Sequence, residues 1–162
     1  MKLDAKIYKI LIDKNIKFLI SGPSIAFSNL INLIEERQEL SHIPVTKEDE
    51  GIGIALGIFT GGKKSIIIIN EEGLGNLINA IRYLSHPYKI PLILMISPLP
   101  NLDRKEIHTK DNNLDLIDHF NIKTWRIKTI KDIDSLSEAI DHFDIRKESV
   151  AIIFESFLEG IQ

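Results

Sequence analysis

The chain contains no cysteine, which excludes disulfides, thiolate metal sites and cysteine nucleophiles together. It has no apolar run near the roughly 18 residues that a membrane-crossing helix needs, so no membrane partner is expected. Its net charge of −3 supplies no electrostatic case for nucleic acid or an anionic membrane surface. The five histidines (His42, His86, His108, His119 and His142) include no HxxxH or HxH pair, and no metal site is expected from them. Neither a GxSxG elbow nor a P-loop is present. The opening residues, MKLDAKIYKILIDKN, carry charges throughout and lack a small-residue cleavage site. They do not read as a secretory signal, and a cytoplasmic protein is expected.

What is there reads as one globular domain over residues 1–162, with 44% hydrophobic and 27% charged residues. Leu3, Ile7, Ile10 and Leu11 recur at helical spacing. Phe18-Leu19-Ile20 is a short strand, followed by Ser21-Gly22-Pro23-Ser24, with Ser24 placed to cap a helix carrying Phe27, Leu30, Ile31 and Ile34. Further strands are expected at 40–45, 65–70, 91–97, 123–127 and 150–154. Helices are expected at 49–60, 75–84, 114–120 and 132–143. Residues 65–70 are apolar on both faces, as a central parallel strand is. Six strands alternating with helices over short connections predict an α/β fold, a doubly wound, mostly parallel six-stranded sheet with helices on both faces. Functional loops in such sheets lie beyond the carboxyl ends of the strands, here 21–24, 46–50, 70–75 and 97–110.

Two motifs fall in those loops. Glu48-Asp49-Glu50 precedes a helix bearing Gly51, Gly53 and Gly57. Gly73-Leu74-Gly75-Asn76 follows the four-isoleucine strand. The first three glycines are spaced GxGxxxG, one residue longer than the dinucleotide fingerprint, and three acidic residues stand where a pyrophosphate would approach. Close helix-to-sheet packing is the plainer reading of those glycines. Glu48 reads either as a first-turn acidic residue favoured by the helix dipole or as a carboxylate that holds and protonates a heterocyclic ring. Gly73–Asn76 reads as a ligand-facing nest or as a tight turn opening a helix. Glu71 and Glu72 argue against direct anion binding there. His108 reads as a loop histidine that is either solvated or faces a site, and Trp125 as a packing residue.

Residues 45–80 resemble the pyrimidine-binding domain of thiamine-diphosphate enzymes, and most of all sulfopyruvate decarboxylase alpha subunits and the related half of phosphonopyruvate decarboxylase. The likeness is carried by Pro44-Val45-Thr46, by Glu48 with Gly57 nine positions on, and by Gly51-Ile52-Gly53-Ile54. Gly73-Leu74-Gly75-Asn76 with Asn79-Ala80, and Lys17-Phe18-Leu19-Ile20-Ser21 with Pro23, extend it. The resemblance implies a thiamine-diphosphate-binding fold and a 2-oxo acid decarboxylase, with 3-sulfopyruvate as first substrate and 3-phosphonopyruvate as second. It implies that Glu48 is catalytic, hydrogen-bonding N1′ of the aminopyrimidine ring. Glu48, Gly73, Leu74, Gly75 and Asn76 would contact the cofactor, and Ser21, Asn70 and His108 are the candidates for the substrate.

The family holds the diphosphate and its Mg2+ on a second domain with a GDG motif, which this chain lacks. Thiamine diphosphate would then be shared with a separate beta-type diphosphate-binding subunit that also holds Mg2+. The assembly would be a hetero-oligomer, with a homodimer as the other arrangement. The family pattern has Gln-Asn-Ser where this chain has Asn70-Glu71-Glu72, and His-Arg-Gly where it has Pro98-Leu99-Pro100. Both changes remove groups suited to a sulfonate or phosphonate, and Arg104, Lys105 and His108 are the nearest basic replacements. A non-catalytic scaffold subunit with a degenerate substrate site is the alternative.

Overall fold

A computed structural model describes residues 3–97 and 114–155. Its strands are β1 (Phe18–Ser21), β2 (Ser41–Pro44), β3 (Ser65–Asn70), β4 (Ile93–Ser97), β5 (Lys123–Ile127) and β6 (Val150–Phe154). They form one sheet in the order β2-β1-β3-β4-β6-β5. All five pairings are parallel, so the sheet is wholly rather than mostly parallel. The central strands β3, β4 and β6 read SIIIIN, ILMIS and VAIIF and are buried almost throughout. Such unbroken apolar runs are what a sheet covered on both faces requires.

The helices are α1 (Leu3–Asp13), α2 (Ser28–Arg37), α3 (Glu48–Thr60), α4 (Ile78–Ala80), α5 (His86–Tyr88), α6 (Asp115–His119) and α7 (Asp134–Arg146). On one face α1, α2 and α7 set Ile7, Leu11, Leu30, Ile34, Leu136, Ile140 and Phe143 against Leu19, Ile66, Ile68 and Met95. On the other, α3, the segment 71–88 and α6 set Ile52, Leu56, Leu77, Ile81 and Ile117 against Ile20, Ile67, Ile69 and Leu94. Ile67 is 1% exposed at the middle of this second core. Ile67→Ala should therefore lower stability by about 2–5 kcal/mol, read as a shift of the urea unfolding midpoint at constant slope.

Two local expectations are corrected. Ser24 does not cap α2: the helix begins at Ser28 with Phe27 at its N-cap position and no side-chain cap. Phe27 instead turns into the core, meeting Phe154 edge-on with ring centroids 5.0 Å apart. That burial takes up the residues that a cap at Ser24 would have made helical. The helix expected at 75–84 is a mixed segment. It starts early as a 3-10 stretch, Glu71–Leu77, passes through α4, and widens into a π stretch, Ile81–Ser85, before α5. Pro87 accounts for the widening, because it has no N–H to donate and its ring crowds the carbonyl four residues back.

Strand order reverses between β1 and β3, which opens a crevice beyond their carboxyl ends. The N-terminal turn of α3 is pressed onto these two strands. A Cβ at Gly51 would stand 3.2 Å from Ile20 Cγ2 and 3.5 Å from Ile67 Cγ2. Close packing thus explains Gly51. It does not explain Gly53 or Gly57, where a Cβ would meet nothing within 4 Å.

Candidate active site

The three acidic residues opening α3 have separate fates. Glu50 Oε2 accepts from the backbone N–H groups of Thr46 (3.0 Å) and Lys47 (3.1 Å), closing the turn into the helix. Asp49 Oδ1 accepts from the N–H of Glu50 at 3.0 Å. Glu48 alone among the three reaches across to the turn after β3. Its Oε2 accepts from Asn76 Nδ2 at 2.9 Å, and the carboxylate lies directly on the Cα of Gly73. A side chain at Gly73 would overlap Glu48 Oε1, Cδ and Cγ, the last at 2.9 Å. Gly73 is thus fixed by close approach, and the glycine turn is a seat for a carboxylate.

Glu48 is half-buried, Gly73 is buried, and Gly75 and Asn76 are exposed. Oε1 of Glu48 has no hydrogen-bond partner among the described residues. Leu74 as a whole is 1% exposed and belongs to the core, so it presents no surface to a ligand. Glu71 and Glu72 stand at the start of the same turn. The mouth is therefore acidic, and suits a neutral or cationic ring with an N–H donor better than a phosphate. Among the described residues, no group of three or more His, Asp or Glu could hold a metal ion.

The substrate candidates do not join this group. Ser21 and Asn70 close β1 and β3, and strand alternation turns both toward the α1–α2–α7 face. Asn70 is committed at both ends: Nδ2 donates to the carbonyl of Pro23 at 3.0 Å, and Oδ1 accepts from Ser97 Oγ at 2.9 Å. Ser21 is 2% exposed and bonds to His42 (2.9 Å between Oγ and Nε2). His108, with Pro98-Leu99-Pro100, Arg104 and Lys105, lies outside the described residues. Sequence reasoning placed Asn76 against the ligand and missed that it tethers Glu48. The spacing between the two motifs carried no sign of that contact.

The tether gives a direct prediction. Asn76→Ala leaves Glu48 seated on Gly73 but free to swing. A hydrogen bond to a charged group is worth about 1.5 kcal/mol, so the variant should lose up to about that much stability, read as a small fall in melting temperature, and activity that depends on a fixed Glu48 should fall about tenfold.

Fold and site together define a doubly wound parallel α/β domain whose α3 carboxylate is seated on a glycine turn beside the switch point. In sequence the chain is similar to the alpha subunit of sulfopyruvate decarboxylase. It is 37% identical to that of Methanococcus maripaludis over 105 residues, covering 65% of this chain and 63% of that one. It is 42% identical to that of Methanocaldococcus jannaschii over 97 residues, covering 60% and 57%. The chain thus spans about three fifths of the length of the curated relatives it matches. No family model matches it. In structure it is similar to 2-oxoglutarate:ferredoxin oxidoreductase from Magnetococcus marinus, with a TM-score of 0.68 and 13% identity, covering 98% of this chain and 29% of that one. That likeness is one of fold. No helix among the described residues is long and apolar enough to cross a membrane.

Proposed function

We propose that this chain is the alpha-type, pyrimidine-binding subunit of a thiamine-diphosphate-dependent 2-oxo acid decarboxylase. Sulfopyruvate is the first substrate to test and phosphonopyruvate the second. The observation that carries the reading is the seating of Glu48, a half-buried carboxylate packed on Gly73, tethered by Asn76 through one oxygen and open at the other. The fit to the cofactor divides cleanly. The carboxylate suits the aminopyrimidine ring, as an acceptor at N1′–H. The acidic mouth does not suit the diphosphate, which with its Mg2+ falls to a separate beta-type subunit.

When bound, thiamine diphosphate supplies the electron sink for loss of carbon dioxide from a 2-oxo acid. This chain's part is to hold the proton relationship at N1′ through Glu48 and to keep that carboxylate fixed through Gly73 and Asn76. The similarity to sulfopyruvate decarboxylase alpha subunits supports a decarboxylase subunit. A non-catalytic scaffold subunit is the second reading. The internal commitment of Asn70 to Pro23 and Ser97 favours it, because it removes one substrate candidate.

The test is co-expression with a candidate beta-type diphosphate-binding subunit. Carbon dioxide release is then followed from sulfopyruvate, phosphonopyruvate and pyruvate, with and without thiamine diphosphate and Mg2+. Cofactor-dependent release from one acid supports the proposal and identifies the substrate. A well-formed complex that releases nothing from any of the three leaves the scaffold reading.

A further inference from the structure

Three helix-to-strand connections meet at the amino ends of β4, β6 and β5, the opposite end of the sheet from Glu48. The strands are neighbours in that order, so residues 85–91, 120–123 and 147–149 come together around a cleft of about 340 Å3. That volume is at the small end of the range for ligand sites. Pro91, Phe120 and Ile122 give the lining a buried apolar floor, and Lys89, Lys123 and Lys147 give it an exposed cationic rim.

The whole chain is acidic, at −3, yet these three lysines pair with no carboxylate among the described residues. Glu148, the carboxylate in the lining, is turned to His142, with 2.9 Å between Oε2 and Nε2. Lys123 Nζ stands 5.0 Å from the centre of the Trp125 ring, a contact that orients the ammonium without neutralising it. Helix dipoles account for Lys89 and Lys147, each at a helix C-cap. They do not account for Lys123, which begins a strand. Half-buried Ser149 adds a donor. Its Oγ accepts from the N–H of Leu92 at 3.0 Å, which leaves the hydroxyl hydrogen to donate elsewhere. The lining includes no arginine among the described residues, so the flat fork that grips a carboxylate at two points is not offered, whereas lysines serve a phosphate as point charges.

We propose that this cleft binds a small phosphate monoester. The dianion sits against Lys89, Lys123 and Lys147 with the Ser149 hydroxyl as a donor, and the organic body lies on Pro91, Phe120 and Ile122. The site is separate from the Glu48–Gly73 turn and does not depend on the decarboxylase reading.

The test is a titration of the full chain with inorganic phosphate and with phenyl phosphate, followed by nitrogen-15 amide NMR at low ionic strength, where such charges are least screened. Saturable shifts are expected at residues 85–91, 120–123 and 147–149, with phenyl phosphate binding several-fold more tightly. Lys123→Gln, Lys89→Asn and Lys147→Asn should each weaken binding several-fold. Asparagine is used at the last two because they stand at φ 53° and 56°, which it tolerates. The amide spectrum of each variant shows directly whether its fold is kept, so lost binding is not confused with lost structure. Lys63→Gln removes the same charge near the amino end of β3 and should change nothing, as should Glu48→Gln. Shifts that fail to saturate or that spread to Lys17 and Lys63, or an equal loss in Lys63→Gln, would reduce the cleft to a diffuse field and overturn the site. Equal affinity for the two probes would overturn the monoester assignment.

Discussion

Gly73→Ala should abolish the function of the site while leaving the fold in place. The added methyl would overlap three atoms of Glu48, the farthest of them, Cγ, at 2.9 Å. Backbone and carboxylate cannot both stay where they are. The carboxylate gives way more readily, because Glu48 is half-buried and can rotate toward solvent. That movement breaks its bond to Asn76 and carries the carboxylate away from its seat. A displacement of about 1 Å at a catalytic group can cost about 10²-fold in rate, and a fall of at least that size is expected in the assembled enzyme. Stability should change by less than the ~1–3 kcal/mol typical of overpacking in a closed core. Gly53→Ala is the control, since nothing lies within 4 Å of its would-be Cβ. That variant should keep full activity and gain roughly 0.4–1 kcal/mol through the lower entropy of its unfolded chain. Carbon dioxide release and thermal unfolding, measured side by side, check both variants. Wild-type turnover in Gly73→Ala would sink the idea that the glycine turn seats a carboxylate.

The same contact marks how far a single sequence can be read. The sheet was legible because β3, β4 and β6 are unbroken apolar runs, and only a strand covered on both faces reads that way. The importance of Glu48 and Gly73 was legible through their order along the chain and their likeness to a family. Their mutual contact was not, since a glycine is silent about which side chain approaches it. The division of the polar residues between two faces of the sheet was equally hidden. It depends on the parity of Ser21 and Asn70 at their strand ends, and moving a strand end by one residue reverses that parity. The bond between Ser21 and His42 needs β2 to lie beside β1 in the observed register, which no local pattern encodes. Ser24 failed as a helix cap for a related reason: the burial of Phe27 against Phe154 outweighed a local hydrogen bond.

Glu48→Gln should separate the chemistry of this carboxylate from its packing. Glutamine has nearly the same volume, its carbonyl oxygen can still accept from Asn76, and it fits on Gly73. The folded chain should therefore keep its melting temperature. What is lost is the negative charge, and with it the capacity to accept the N1′ proton. Groups in that role typically contribute about 10²–10⁴-fold, and turnover in the assembled enzyme should drop within that range, with only a modest loss of cofactor affinity. The neighbouring carboxylates make the comparison decisive, because each replacement removes one unit of negative charge from the same acidic mouth. Asp49→Asn should leave turnover unchanged, since among the described residues Asp49 bonds only to the N–H of Glu50. Glu50→Gln should act on stability instead, weakening the closure over Thr46 and Lys47 by about 0.5–2 kcal/mol. If the three variants lost turnover equally, the general field of the acidic mouth would be responsible and Glu48 would have no special role. A loss confined to Glu48→Gln, with Glu50→Gln less stable but active, would instead assign the chemistry to the one carboxylate that Gly73 and Asn76 hold.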